Sequence, residues 1–271
     1  MTQALRHYLL AVQFFTRIPV TGRLAQWVGY SPAMLRASSA HFPGVGWLVA
    51  AVAVASYGAL LIGLGPGAMA PWVAAVFCTI ATVLVTGGFH EDGLADVADG
   101  LGGSLDRERA LDIMKDSRVG AFGAMALVMA LLAKISLLAH LGTHGLGAAL
   151  AALVGAHVLS RFWPLCLIRS LTHVGDTARS KSKPLADQIT WRALGAGILW
   201  CFMPLALVWH AHDALFLIAS ITASALSAAV MARWFARRLQ GFTGDCLGAT
   251  QQVSEIGFYL GAALALGPAW A

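Results

Sequence analysis

Seven stretches of this chain approach the roughly 20 apolar residues that an α-helix needs to cross a hydrocarbon core about 30 Å thick. They run from Phe42 to Leu64, Met69 to Phe89, Val119 to Leu141, Leu146 to Ile168, Arg192 to Trp209, Ala214 to Trp234 and Ser254 to Trp270. In lipid every backbone N–H and C=O must be bonded inside the segment, so such stretches are helices and the fold class is all-α: a polytopic transmembrane helical bundle of about seven spans. Composition agrees, because 11% of the 271 residues are charged, against about 25% in soluble domains. Residues 1–271 read as a single integral membrane domain, with 1–41 as an N-terminal section and 89–118 as an acidic segment. Gln13, Arg17 and Pro19 interrupt the apolar start before it could span, which leaves an N-terminal interfacial helix.

The connections alternate. Gly63–Gly67, Gly142–Gly145 and His210–Asp213 are short and hold no Lys or Arg. The others carry Arg6, Arg17, Arg23 and Arg36; then Arg107, Arg109, Lys115 and Arg118; then Arg179, Lys181 and Lys183; then Arg233, Arg237 and Arg238. Basic loops stay on the cytoplasmic side, so the N-terminus and the long loops are expected there, with the chain in an inner membrane. Dispersed in this way, the net charge of +5 reflects orientation and gives no reason to expect nucleic acid. Cys78, Cys166, Cys201 and Cys246 lack the spacing of a zinc site or a disulfide framework.

Against this background the acids are concentrated. Eight of the thirteen lie between Glu91 and Asp116, and none precedes Glu91. Asp92, Asp96 and Asp99 stand at i, i+4 and i+7, within a wedge of roughly 60° on one helical face. Small and apolar residues fill the gaps between them, where a solvated helix would carry Lys or Glu. Three carboxylates on one stripe repel unless something neutralises them. Asp112 and Asp116 repeat the i, i+4 spacing on an expected second helix capped by Ser104 or Asp106. An all-oxygen donor set suits Mg2+, or Mn2+ or Ca2+, rather than zinc, and carboxylate-held Mg2+ commonly grips phosphates. The candidate metal ligands are therefore Asp92, Asp96, Asp99, Asp112 and Asp116. His90, Lys115 and Arg118 are candidates for phosphate oxygens, and Asp116, with Asp99, for accepting a proton. Asp245 lies in a glycine-rich loop, Gly241–Gly248, whose amides could cradle an anion. Arg107, Glu108 and Arg109 read as ordinary surface charges, and so does the basic Thr177–Pro184 segment.

Lys134 and Arg161 fall inside expected spans, where an unpaired charge is costly. Each either binds an anionic substrate or pairs with a carboxylate or carbonyl. They keep a transporter in contention, although the acids cluster in a loop rather than at mid-membrane. A purely structural membrane protein leaves the Asp stripe unexplained.

Several motifs resemble the cobalamin synthase family, the adenosylcobinamide-GDP ribazoletransferases: Phe15-Thr-Arg-Ile-Pro19, Phe42-Pro-Gly-Val-Gly46, Gly87 through Leu101, Ile113 through Gly123, and Gly241 through Ala249. The resemblance implies an Mg2+-dependent transferase. It would join alpha-ribazole, or its 5'-phosphate, to adenosylcobinamide-GDP at the membrane and release GMP. It also places Arg17 and Asp245 among the substrate-binding residues. A more distant likeness is to CDP-alcohol phosphotransferases, through Asp96-Val-Ala-Asp-Gly100 and Asp112-Ile-Met-Lys-Asp116. There the two halves stand closer together than in that family, and Glu108 replaces an expected Gly. Small-residue faces such as Gly142–Gly155 would let helices pair within one chain or in a homo-oligomer.

Overall fold

The computed structural model describes residues 2–175 and 189–267, so the Thr177–Pro184 segment lies outside the described residues. Its architecture is a helical bundle of polytopic membrane type. Helix α1 (Thr2–Phe15) is followed by two short helices, α2 (Gly22–Val28) and α3 (Pro32–Ser38), and a 3-10 turn into α4 (Phe42–Leu64). Next come α5 (Ala70–Thr86), α6 (Phe89–Gly103), α7 (Arg107–Met114), α8 (Ala121–Thr143), α9 (Leu146–Leu159) and α10 (Trp163–Ser170). The series closes with α11 (Trp191–Ala211), α12 (Ala214–Arg238) and α13 (Gly244–Ala265).

Among the described residues, five segments are long and apolar enough to cross a membrane, and six if α5 and α6 are counted together. The seventh expected span behaves differently. Its helix begins at Gly244, ten residues before the expected start, because the glycine-rich Gly244–Gly248 stretch is the first turn of α13 and not a loop. Only Leu239–Thr243 make the turn. Gln251, Gln252 and Glu255 make α13 too polar to face lipid, and the structure buries all three. At about 1.5 Å per residue, its 22 residues still cover a membrane's depth, sheathed by α6, α8, α9 and α12. Outward faces elsewhere are apolar, as Ile62, Leu84, Met129, Leu199 and Phe202 show.

Helix α1, with 14 residues, is too short to span; it buries Leu10, Ala11, Val12 and Phe15 against its neighbours. The long connections meet at one end of the bundle. There the Arg17 amide donates to Val85 O, the Arg107 guanidinium to Leu239 O at 2.7 Å, and Arg238 to the carbonyls of Leu101 and Ser104. The short connections gather at the other end, where Gly142 abuts Tyr57 and Pro71.

A sharp turn at the first end positions the acidic segment. Gly87 and Gly88 both have φ near +70°, a conformation costly for any residue with a Cβ. Together they swing α6 through 91° from the axis of α5. The acidic stripe therefore lies crosswise to α5 at this end of the bundle.

Candidate active site

Helix α6 crosses the first turn of α13 at Gly93. A Cβ on Gly93 would stand 2.8 Å from Asp245 O and 3.0 Å from its Cα, so the approach of the two backbones requires glycine. This contact brings Asp245, from the far end of the chain, to the Asp92–Asp96 stripe. Asp92 and Asp245 line an open cleft of about 760 Å³, with Arg17, Gly87 and Gly88 on its other walls.

The electrostatics show how close the acids are. Burial, then the negative charges of Asp245, Asp92 and Asp99, push the Asp96 carboxyl up to about 7. Burial likewise raises Asp245; the Thr243 hydroxyl, donating at 3.2 Å, opposes the rise, and Asp92 adds to it. Carboxylates that raise one another in this way form an oxygen-rich pocket that a divalent cation would neutralise, and the donor chemistry fits Mg2+. Among the described residues, no three His, Cys, Asp or Glu side chains stand so placed that they could hold a metal ion together.

The other expected site residues lie elsewhere. Asp99 is buried, and its two oxygens accept from the amides of Gly120 and Gly123 at 2.7 and 2.8 Å. It thus caps α8, whose N-cap residue, Gly120, has no side chain of its own to do so. Helix α7 is opened by Asp106, whose carboxylate accepts from the Arg109 amide, but it ends at Met114. Asp112 and Asp116 therefore do not share a helix. Asp112 pairs with Lys115 at 3.3 Å, and Asp116 with Arg118 at 2.5 Å, both at the surface. Hydrogen bonds from Arg118 hold the Asp116 carboxyl down at about 2, which makes it a weak proton acceptor. His90 is buried and stacks on Phe42, with ring centroids 5.6 Å apart, beside a small apolar cavity of about 30 Å³.

A polar network behind the cleft escaped the sequence analysis. Glu255, at mid-depth on α13, takes Lys134 Nζ at 2.6 Å on one oxygen, together with the Tyr259 hydroxyl at 3.2 Å. Its other oxygen takes the Gln251 amide at 2.6 Å and faces His157 Nδ1 at 3.3 Å. Arg161 donates to His157 O at 2.7 Å, and its guanidinium lies over the Phe42 ring. Both intramembrane cations thus have protein partners: a carboxylate for Lys134, a carbonyl for Arg161. The network reaches the acidic helix, because the Gln252 side-chain amide donates to Gln251 Oε1 and to the Glu91 carboxylate at 2.9 and 3.1 Å. Glu91 immediately precedes Asp92, so buried hydrogen bonds fix α6 to α13 next to the cleft. The available signal was the i, i+4, i+8 spacing of Gln251, Glu255 and Tyr259 in an otherwise apolar segment.

Comparison with known proteins places these features in a family. The family model described as cobalamin-5-phosphate synthase matches residues 7–263. The chain is 61% identical to the adenosylcobinamide-GDP ribazoletransferase of Albidiferax ferrireducens, over 98% of this chain and 100% of that protein. It is 61% identical to the protein of the same name from Polaromonas naphthalenivorans, again over 98% and 100%. With that of Leptothrix cholodnii the identity is 44%, over 94% of each. No solved structure matches the chain.

Proposed function

The chain belongs to the cobalamin-5-phosphate synthase family, and from that premise we propose that this membrane transferase joins alpha-ribazole, or its 5'-phosphate, to adenosylcobinamide-GDP with release of GMP, at a site facing the cytoplasm of an inner membrane. The observation that carries this reading is that Asp92 and Asp245 share one cleft with Arg17 at the end of the helical bundle, with Asp96 close enough to feel both acids. Such a site suits a diphosphate, since the carboxylates would bind it through a divalent cation and the guanidinium would bind its oxygens directly.

In the proposed reaction a ribose hydroxyl of the ribazole attacks the phosphorus attached to cobinamide. The new O–P bond forms as the bond to the GMP phosphate breaks, and the hydroxyl proton passes to a carboxylate. Asp92 and Asp245 would hold a Mg2+ ion, which when bound supplies charge neutralisation for the diphosphate. Asp96, on the same helix as Asp92 and within reach of the Asp245 charge, is better placed than Asp116, which Arg118 holds at the surface, to accept the proton. Arg17 lies against Gly87 on the cleft wall and is placed to share the charge of the departing phosphate. Asp99 acts indirectly, by tying the acidic helix to the start of α8.

The test is GMP release from adenosylcobinamide-GDP and alpha-ribazole by the purified, detergent-solubilised protein, with Mg2+ or EDTA, comparing wild type with Asp245→Asn. Metal-dependent release that collapses in the variant supports the reading. Release that survives both EDTA and the substitution would remove the metal-held carboxylate site.

A further inference from the structure

The acidic cleft does not end at its phosphate-binding wall. Gln13 and Phe14 also line a second groove of about 440 Å³, closed on its far side by Gly29, Tyr30 and Leu35 of the α2–α3 region. The two spaces thus share one wall. A groove of this size is adequate for a nucleobase and its ribose.

Its lining has an unspent capacity for recognition. Tyr30 is 67% exposed and Gln13 is exposed. Among the described residues neither the Gln13 amide nor the Tyr30 hydroxyl has a hydrogen-bond partner. An aromatic face for stacking, with an amide that both donates and accepts, is the equipment that proteins use to hold a base and read its edge. The charge fits as well. No acid occurs in the first 90 residues, which carry Arg6, Arg17, Arg23 and Arg36. Arg6 donates to Val28 O at 2.9 Å, and its guanidinium lies against Gly29 at the groove wall.

We propose that this groove is the subsite for the purine nucleotide part of the substrate: the guanine base stacks on Tyr30 and Phe14, Gln13 contacts its edge, and the attached phosphate lies toward Arg17. The inference rests on the transferase reading and assigns its two nucleosides to separate places. Displacement at phosphorus runs in line, so the nucleophile and the leaving group approach from opposite sides. The arginine-bearing, acid-free wall suits the side from which an anionic nucleotide departs. The ribazole base then enters away from Gln13 and Tyr30.

Full-length protein in detergent, with Mg2+, can be titrated with N-methylanthraniloyl-GDP and competed with GMP or AMP, comparing wild type, Gln13→Leu and Tyr30→Ala. Loss of one stacking ring is worth on the order of tenfold in affinity, so Tyr30→Ala weakens GMP and AMP alike by about that factor. Gln13→Leu narrows the difference between the two nucleotides, while KM for alpha-ribazole and the melting temperature stay at wild-type values. Nucleotide affinities within twofold of wild type in both variants, or a rise in KM confined to alpha-ribazole, would overturn the assignment. Wild type that binds nucleotide in this pattern without turning over would instead sink the transferase reading and leave the subsite standing.

Discussion

Replacing Glu255 by Gln should be among the most destabilising single changes in this protein. The Lys134 and Glu255 side chains are 3% and 1% exposed, and they meet at 2.6 Å about halfway along α8 and α13. Glu255→Gln keeps the volume and much of the hydrogen bonding to Gln251 and Tyr259 but removes the charge that compensates Lys134. Breaking a buried pair from one side costs about 3–5 kcal/mol. That lowers the folded-to-unfolded ratio by at least roughly a hundredfold. Lys134→Met should cost less, about 1.5–3 kcal/mol, because the carboxylate keeps Gln251, Tyr259 and His157. The double variant should be more stable than the sum of the two implies, since both groups of a contacting pair are then gone. The assay is reversible unfolding in mixed micelles of increasing SDS content, followed by helical circular dichroism. If Glu255→Gln costs under about 1 kcal/mol, near the average of about 0.6 kcal/mol for hydrogen bonds between membrane helices, then water reaches this site and the argument from desolvation fails.

Asp245→Asn and Asp96→Asn should each reduce GMP release at least about a hundredfold. Asp112→Asn, at an exposed pair, should stay within severalfold of wild type; equal losses at all three would restore α7 to the metal site. In metal-free protein the raised Asp96 carboxyl binds its proton more tightly folded than unfolded. Stability should therefore fall as pH rises from the ordinary carboxylate value of 3.8 toward about 7. Melting in EDTA at several pH values, with and without Asp96→Asn, checks this; an unchanged slope in the variant would refute it. Gly93→Ala should cut activity more than it lowers the melting temperature, because its Cβ would press on the Asp245 backbone and part the carboxylates. A fully active Gly93→Ala enzyme would mean that this close approach is dispensable.

The sequence by itself determined the class of fold, because apolar length answers to a single physical demand: in lipid, backbone groups must be satisfied within the helix. It also exposed the acidic stripe, since Asp92, Asp96 and Asp99 need only one helix to share a face, and α6 is that helix. What it could not show depends on which helices meet. The i, i+4 pattern of Asp112 and Asp116 resembled that of the stripe, yet α7 stops at Met114 and leaves Asp116 to Arg118. Asp99 looked like its neighbours until the α8 amides claimed both its oxygens. Asp245 read as a lone acid in a loop; only the crossing at Gly93 brings it to Asp92 and Asp96. Lys134 and Glu255, 121 positions apart, became partners only when α13 was enclosed by the other helices. Periodicity along one helix is written in local spacing, whereas the pairing of charges between helices is decided by packing, where desolvation leaves each buried charge no alternative partner.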